Sequence, residues 1–291
     1  GNTVQGGPVL VVAAASGGCG GQLGRAWAAA LGAAGVVRLL LFMRDSPQSC
    51  GFPPINVIRD EPQEETEARG SVFKNQLLAL RNPALWTLAL ASAFMYIDRY
   101  AVNSWGIFFL EQDKAYSTLE ASGIIGVNAI AGIAGTIIAG MLSDRFFPRN
   151  RSVMAGFISL LNTAGFALML WSPHGYYTDI LAMIIFGATI GALTCFLGGL
   201  IAVDISSRKA AGAALGTIGI ASYAGAGLGE FLTGIIIDKT SMIENGKTLY
   251  DFSTLSLFWV GTGLVSALFC FTTAAIVARR HAIERQTSFS S

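Results

Sequence analysis

Long apolar runs alternate with short polar segments along almost the whole chain. A helix that crosses the hydrocarbon core of a bilayer needs about 20 mainly apolar residues, and seven of the runs are long enough. The sequence therefore predicts seven transmembrane helices. An eighth, shorter run at 4–16 is interpreted as a clipped span, because we expect that residues are missing upstream. The seven long runs are 26–43, 84–110, 119–142, 152–171, 177–203, 210–237 and 255–278.

Positive charge is distributed unevenly between the loops at the two ends of these helices. The loops on the side of the termini hold 13 Lys and Arg residues, whereas the opposite loops hold four. Cytoplasmic loops of membrane proteins carry an excess of these residues. Both termini of this multi-pass membrane protein are therefore expected to be cytoplasmic.

The segment 44–83 differs from the rest of the chain, because it contains several prolines and an acidic run at 61–67. We interpret it as a cytoplasmic central loop between two helical parts. Residues 1–43 are then the remnant of an N-terminal helical half, residues 84–278 form a C-terminal six-helix half, and residues 279–291 form a cytoplasmic tail. Six spans make one half of a common transporter architecture.

Composition narrows the class of protein further. The chain is 53% hydrophobic and only 13% charged, whereas soluble proteins contain about 25% charged residues. This argues against a soluble globule, a disordered tail and a nucleic-acid binder, which needs dense positive charge. The four cysteines are spaced singly, which indicates neither a disulfide framework nor a zinc site. Phosphate-loop, dinucleotide and zinc-hydrolase motifs are also incomplete, so no catalytic residue, metal, cofactor or enzyme activity is predicted.

Arg99 lies deep within the predicted span 84–110, roughly 16 to 22 Å from either end at 1.5 Å per residue. With Ser92, Tyr96 and Asn103 it follows helical spacing, which predicts a polar stripe facing water on an apolar helix. A guanidinium suits a bidentate grip on phosphate or carboxylate, and a tyrosine and an amide suit neighbouring hydroxyls. The alternative is an arginine neutralised by an acidic neighbour to fix helix packing.

Two other charged residues within spans have simpler interpretations. Neighbouring side chains on a helix point about 100° apart, so Asp98 cannot share the face of Arg99. We expect it to meet another helix in a structural role, with proton or substrate coupling as the alternative. Arg38 lies about 8 Å from the end of its span, from where its side chain can reach the headgroups.

The span 210–237 carries a second ordered face, on which glycines accompany Tyr223 and Glu230. Small residues allow helices to approach closely in lipid, but a tyrosine and an acid interrupt such a contact. The two residues are predicted to line a cavity. The alternative is a tight glycine contact in which a neighbouring polar group holds Glu230.

The loop after span 119–142 contains the candidates for conformational gating: Gly140, Asp144, Arg145 and Arg149. A glycine on the last helical turn permits close approach to another helix. The charged residues can form contacts between helices that break when the bundle rocks. The alternative is that the arginines, including Arg151, only anchor the loop on the positive side of the membrane.

Several of these segments together resemble one known family, the organophosphate:phosphate antiporters of the major facilitator superfamily, especially the bacterial hexose-phosphate transporter and sensor branch. Each motif is weak alone, but they are spread over most of the chain. The matching segments are 44–49 (RDSPQS), 96–100 (YIDRY), 103–106 (NSWG), 143–145 (SDR), 150–151 (NR), 207–214 (SRKAAGAA) and 223–226 (YAGA).

The resemblance implies an all-α membrane protein with a major facilitator-type helical bundle, of which about eight transmembrane spans are present. It also implies two six-helix halves with the substrate at their interface. Arg99 matches the arginine of the second half that binds substrate phosphate, and Tyr96 and Tyr223 match tyrosines placed near it. The sequence departs from many relatives in the segment 192–194 (ALT), where they carry an aromatic-Gly-Pro turn.

The expected function is exchange of a phosphorylated sugar, such as a hexose phosphate, for inorganic phosphate by rocker-switch alternating access. Arg99 would hold the phosphate, and Tyr96, Asn103 and Tyr223 would orient it. Glu230 would accept sugar hydroxyls or hold a counter-charge. The partners are then the two substrates and the lipid bilayer, and no nucleic acid. Two alternatives remain: a sugar-phosphate receptor that signals to a membrane kinase, and a non-functional fragment.

Overall fold

The computed structural model describes residues 80–146, 151–206, 210–244 and 247–290, and residues 30, 32–35, 37, 38, 51, 53 and 77. The chain divides into two units, 1–71 and 72–291, and the fold given below is that of the second. The clipped span 4–16 and nearly all of the central loop lie outside the described residues, as does most of the span 26–43. In the first unit, the described residues between 30 and 38 are helical.

Helices dominate the second unit, and two of the spans contain a π-helical turn. The first span consists of α1, π1 and α2, and the fourth consists of α5, π2 and α6. A short hairpin joins the last two spans. In chain order the elements are α1 (Pro83–Tyr100), π1 (Ala101–Trp105), α2 (Gly106–Gln112), α3 (Thr118–Phe146), α4 (Arg151–Trp171), α5 (Tyr176–Cys195), π2 (Phe196–Leu200), α6 (Ile201–Asp204), α7 (Ala211–Thr240), β1 (Ser241–Glu244), β2 (Lys247–Tyr250) and α8 (Ser253–Ser290).

The helices agree with the six apolar runs predicted after residue 83. Within the described part of the chain, five helices are long and apolar enough to cross a membrane. The first span is not among these five; unlike them, it carries Asp98 and Arg99 in its middle, which make it less apolar. Helix α8 continues to Ser290, beyond the predicted span 255–278 and through the segment predicted as a tail. A helix satisfies its backbone hydrogen bonds internally, so it can continue beyond the apolar segment.

The closest helix contact joins α3 to α5 through small residues. A Cβ atom placed on Gly135 would lie 2.5 Å from the carbonyl carbon of Ala188, and one placed on Gly187 would lie 2.8 Å from Oδ1 of Asn128. Gly191 likewise meets the backbone of Gly132. Packing of backbones against each other through glycine is a common way in which helices associate in lipid.

We predict that Gly135→Ala lowers the melting temperature of the detergent-purified full-length protein, because the new methyl group forces α3 and α5 apart. Overpacking of this kind costs about 1–3 kcal/mol. Gly126→Ala on the same helix is the matched control, since a Cβ there meets no atom of the described residues within 4 Å. Alanine favours a helix over glycine, so the control is expected to be neutral or stabilising. Equal melting temperatures for the two variants would contradict the packing described here.

Aromatic side chains fill the core between the first span and helices α4, α5 and α8. Trp259 is buried and stacks on Phe166, with ring centres 5.6 Å apart. Phe186 and Phe109 pack around the same pair. This core holds the first span in a fixed position. Large aliphatic side chains are exposed on the outer faces of α3 and α7, as in helices that face lipid or another apolar segment.

A buried polar cluster connects the loop after α2 to the first turn of α5 and the loop before it. Lys114 Nζ lies 2.5 Å from Asp179 Oδ1, and both side chains are almost fully buried. The Tyr116 hydroxyl donates to the other oxygen of Asp179 at 2.8 Å. His174 stacks on Tyr116 and contacts the Lys114 carbonyl oxygen through Nδ1. Burial, followed by the hydrogen bond to Asp179, raises the pKa of Tyr116 to about 12, so the phenol remains a donor at neutral pH.

Candidate functional site

The candidate site is centred on α1 and on the π turn that follows it. Asn82 caps the start of α1 by accepting from the Ala84 N–H, and Pro83 occupies the first helical position, which suits proline because no backbone donor is needed there. The helix continues through Arg99 and then widens in π1. Single π turns within α-helices are frequent at functional sites. The second π turn, π2, begins two residues after Thr194, which contacts Arg99.

The Arg99 guanidinium lies between neutral groups. Its Nη1 is 3.4 Å from the Thr194 hydroxyl oxygen on α5, and its central carbon is 5.4 Å from the centre of the Tyr96 ring. The side chain is half-buried. Within the described ranges, no carboxylate lies within 4 Å of it. An acidic partner that would fix helix packing is therefore not found among these residues.

Asp98 meets a different helix, as predicted. It is almost fully buried, and its Oδ1 accepts a 2.5 Å hydrogen bond from the Thr262 hydroxyl on α8. A Cβ on Gly263 would lie 2.8 Å from its Oδ2, so the carboxyl fits tightly against α8. The acid thus joins α1 to α8 on the side of the helix away from Arg99.

Helix α7 brings Tyr223 to the site from 127 positions along the chain. The rings of Tyr96 and Tyr223 meet edge to face with centres 5.5 Å apart, and 63% of Tyr223 is exposed in the described structure. The predicted polar stripe is incomplete, however, because Ser92 is buried against Ser222 at a hydrogen-bond distance of 2.7 Å. Ser92 belongs to the seam between α1 and α7, and not to an open face.

Glu230 lies further along α7 and contacts π1. Its Oε2 accepts a 2.8 Å hydrogen bond from the indole N–H of Trp105. Its Oε1 is buried and has no hydrogen-bond partner among the residues described. Nor does any described Lys, Arg or His lie within 4 Å of this carboxylate. Asn103 lies within π1 and is half-buried, so it does not follow the regular α-helical spacing that the sequence argument assumed.

The tight glycine contact considered for the face of Tyr223 and Glu230 lies on another face of α7. A Cβ on Gly225 would come within 2.5 Å of the Ala93 carbonyl oxygen, and Gly229 packs against Ile97. In contrast, Gly219 and Gly227 have nothing within 4 Å of a Cβ in the described structure. The face of α7 that carries Tyr223, Gly219 and Gly227 is therefore open among the described residues.

Sequence reasoning missed two residues of this site, Thr194 and Trp105. Thr194 stands in the 192–194 segment that departs from the resembling family, and Trp105 stands in the matching segment 103–106. The departure from the family pattern could have identified Thr194 as a candidate, and the match to it could have identified Trp105. Neither signal identifies a contact, because Trp105 and Glu230 are 125 positions apart and only the packing of the helices brings them together.

The structure describes the gating candidates only in part. Arg149 and the side chain of Asp144 lie outside the described residues. Arg145 is exposed near the end of α3, and a Cβ on Gly140 would meet nothing within 4 Å in the described structure. Arg151, considered above as an anchor, forms a 2.9 Å ion pair with Asp204. Its Nε also donates to the Ser143 hydroxyl, so this arginine links the ends of three spans.

Comparison with known proteins identifies the family. The model of the Major Facilitator Superfamily matches residues 3–230 of the chain. The glycerol-3-phosphate transporter of Bacillus subtilis is 32% identical over 212 residues, which cover 69% of this chain and 47% of that protein. A probable hexose phosphate transport protein of Chlamydia trachomatis is 33% identical over 213 residues, which cover 66% and 45% respectively.

A third relative carries a different description. The membrane sensor protein UhpC of Salmonella typhimurium is 30% identical over 203 residues, which cover 64% of this chain and 43% of that protein. The chain spans about half the length of the curated relatives it matches. Its apolar helices make it an integral, multi-pass membrane protein. The family match and these relatives together show that the chain belongs to the Major Facilitator Superfamily, in its organophosphate:phosphate antiporter branch.

Proposed function

We propose that this chain is part of a carrier that exchanges a hexose phosphate, or a similar organophosphate, for inorganic phosphate. The observation that carries the proposal is Arg99: among the described residues its guanidinium meets the Thr194 hydroxyl and the Tyr96 side chain, and it forms no ion pair with a carboxylate. A planar guanidinium with free donors is well suited to bind phosphate oxygens bidentately. The names of two relatives, which mention glycerol 3-phosphate and hexose phosphate, support this substrate class.

In this proposal different residues of the site bind different parts of the substrate. Arg99 binds the phosphate, and Tyr96, Asn103 and Tyr223 orient it through their hydroxyl and amide groups. Glu230 accepts hydroxyls of the organic part, in keeping with a carboxylate that has no described cationic neighbour. Substrate binding shifts the equilibrium between the two access states through their different affinities. The concentration gradients of the two substrates drive the exchange, and no catalytic step is needed.

Rocker-switch access requires contacts that form in one state and break in the other. We propose that Gly140, Asp144, Arg145 and Arg149 act in this way at the cytoplasmic end of the bundle. The ion pair between Arg151 and Asp204 supports an extended network at that end. The proposed topology has both termini in the cytoplasm of a bacterium, with 44–83 as the central loop between a first helical half and the six-helix half 84–278.

A sensor of the same fold is the second candidate, because one relative is described as a membrane sensor. It would bind a sugar phosphate and signal to a membrane kinase. Counterflow in proteoliposomes that contain the full-length protein distinguishes the two functions. Exchange of labelled phosphate for internal phosphate or hexose phosphate supports the carrier, whereas binding without flux supports the sensor. Absence of both binding and flux would contradict both candidates.

A further inference from the structure

The contact between Trp105 and Glu230 has a feature that the proposed phosphate site does not explain. The indole N–H donates to one carboxylate oxygen, and the other oxygen is buried without a described partner. Leaving a buried acceptor unpaired is unfavourable, because the group has lost its hydrogen bonds to water without replacing them. Oε1 of this carboxylate can therefore accept a hydrogen bond from a ligand.

Aromatic neighbours hold the Trp105 ring in place. Phe108 meets it edge to face with ring centres 6.1 Å apart. Phe108 is itself held by Tyr250 at the end of the hairpin, at 5.0 Å, and by Phe252, at 5.9 Å. Such edge-to-face pairs favour particular ring orientations. The indole N–H therefore has a fixed direction, and so does the Glu230 carboxylate that accepts from it.

The Trp105–Glu230 pair lies beyond Arg99 in the direction in which the first span runs. Tyr96 meets Tyr223, and further along both helices Trp105 meets Glu230, so the first span and α7 run parallel here. Six residues separate Arg99 from Trp105, which corresponds to about 9 Å of helix rise. Inorganic phosphate is too small to reach both places. A phosphate ester with a hydroxylated organic part is long enough.

We propose that Trp105 is a positioning residue that makes the site selective for organophosphates over inorganic phosphate. By occupying Oε2 of Glu230, it orients Oε1 to accept a hydroxyl group of the organic part while Arg99 binds the phosphate. The inference rests on the proposed function, because it assumes that phosphate binds at Arg99. It adds a binding position for the organic part of the substrate, at Glu230, and assigns the geometry of that position to Trp105.

The test is competition binding to the full-length protein in detergent, with radiolabelled inorganic phosphate displaced by unlabelled phosphate or by glucose 6-phosphate. Trp105→Phe keeps an aromatic ring but removes the N–H donor. We expect about a tenfold loss of affinity for glucose 6-phosphate and little change for phosphate. Trp86→Phe in the same span is the matched control, because the Trp86 N–H donates to the Leu80 carbonyl oxygen, away from Glu230. It should leave both affinities unchanged.

Glu230→Gln provides a second, independent variant, and it should also reduce affinity for glucose 6-phosphate selectively. The inference would be overturned if both variants kept the ratio of the affinities for glucose 6-phosphate and phosphate unchanged. It would also be overturned if Trp105→Phe lowered both affinities equally, because that result indicates only a structural role for Trp105. The proposed function would survive either result. If the unmodified protein binds no phosphate at all, the proposed function fails and this inference fails with it.

Discussion

Arg99→Lys is expected to abolish phosphate-dependent uptake by the full-length carrier although the positive charge is retained. Lysine offers a single ammonium group and cannot grip a phosphate with two parallel hydrogen bonds. A hydrogen bond to a charged group is worth about 1.5–3 kcal/mol, so each bond lost lowers phosphate affinity by about 10- to 100-fold. The measurement is initial uptake of labelled phosphate by proteoliposomes, together with the apparent affinity.

Arg38→Lys is the matched control for this experiment. Arg38 is also an arginine within a predicted span, but its proposed role is only to reach the headgroup region, which lysine can do equally well. Phosphate uptake by the Arg38→Lys variant should equal that of the unmodified protein. If Arg99→Lys takes up phosphate at nearly that level too, Arg99 does not bind the phosphate in the way proposed, and the carrier mechanism loses its main support.

Lys114→Met is expected to destabilise the protein strongly, by about 3–5 kcal/mol. Asp179 is completely buried, and Lys114 is the cation that faces it. Removing that cation leaves a buried carboxylate with the Tyr116 and Ser172 hydroxyls as its described neighbours. Thermal unfolding of the purified full-length protein measures the effect.

The double variant Lys114→Met/Asp179→Leu separates loss of the ion pair from loss of packing. When both charges are replaced by apolar groups, the desolvation cost disappears with the attraction, so most of the stability should return. A single variant as stable as the unmodified protein, or a double variant less stable than the single one, would show that the buried pair does not act as described.

The six spans after residue 83 could be predicted from the sequence with little error. Bilayer thickness sets the length of an apolar helix, and this requirement is local to each run of residues. The direction of Asp98 could also be predicted, because helical geometry separates it from Arg99, and the structure confirms that it meets another helix. The same geometry wrongly placed Ser92 on the open face, because sequence spacing does not say which part of a polar stripe a neighbouring helix covers.

For the candidate site, the sequence identified the residue types and the tertiary structure decided their partners. That Arg99, Tyr96, Tyr223 and Glu230 are unusual could be read from polar groups within apolar runs, since such groups are costly in lipid. That Arg99 meets Thr194, and that Trp105 reaches Glu230 from a π turn, depends on how distant helices pack. The hydrophobic pattern and the geometry of a helix relate residues within a few turns of each other. These two contacts instead join residues that are 95 and 125 positions apart in the chain.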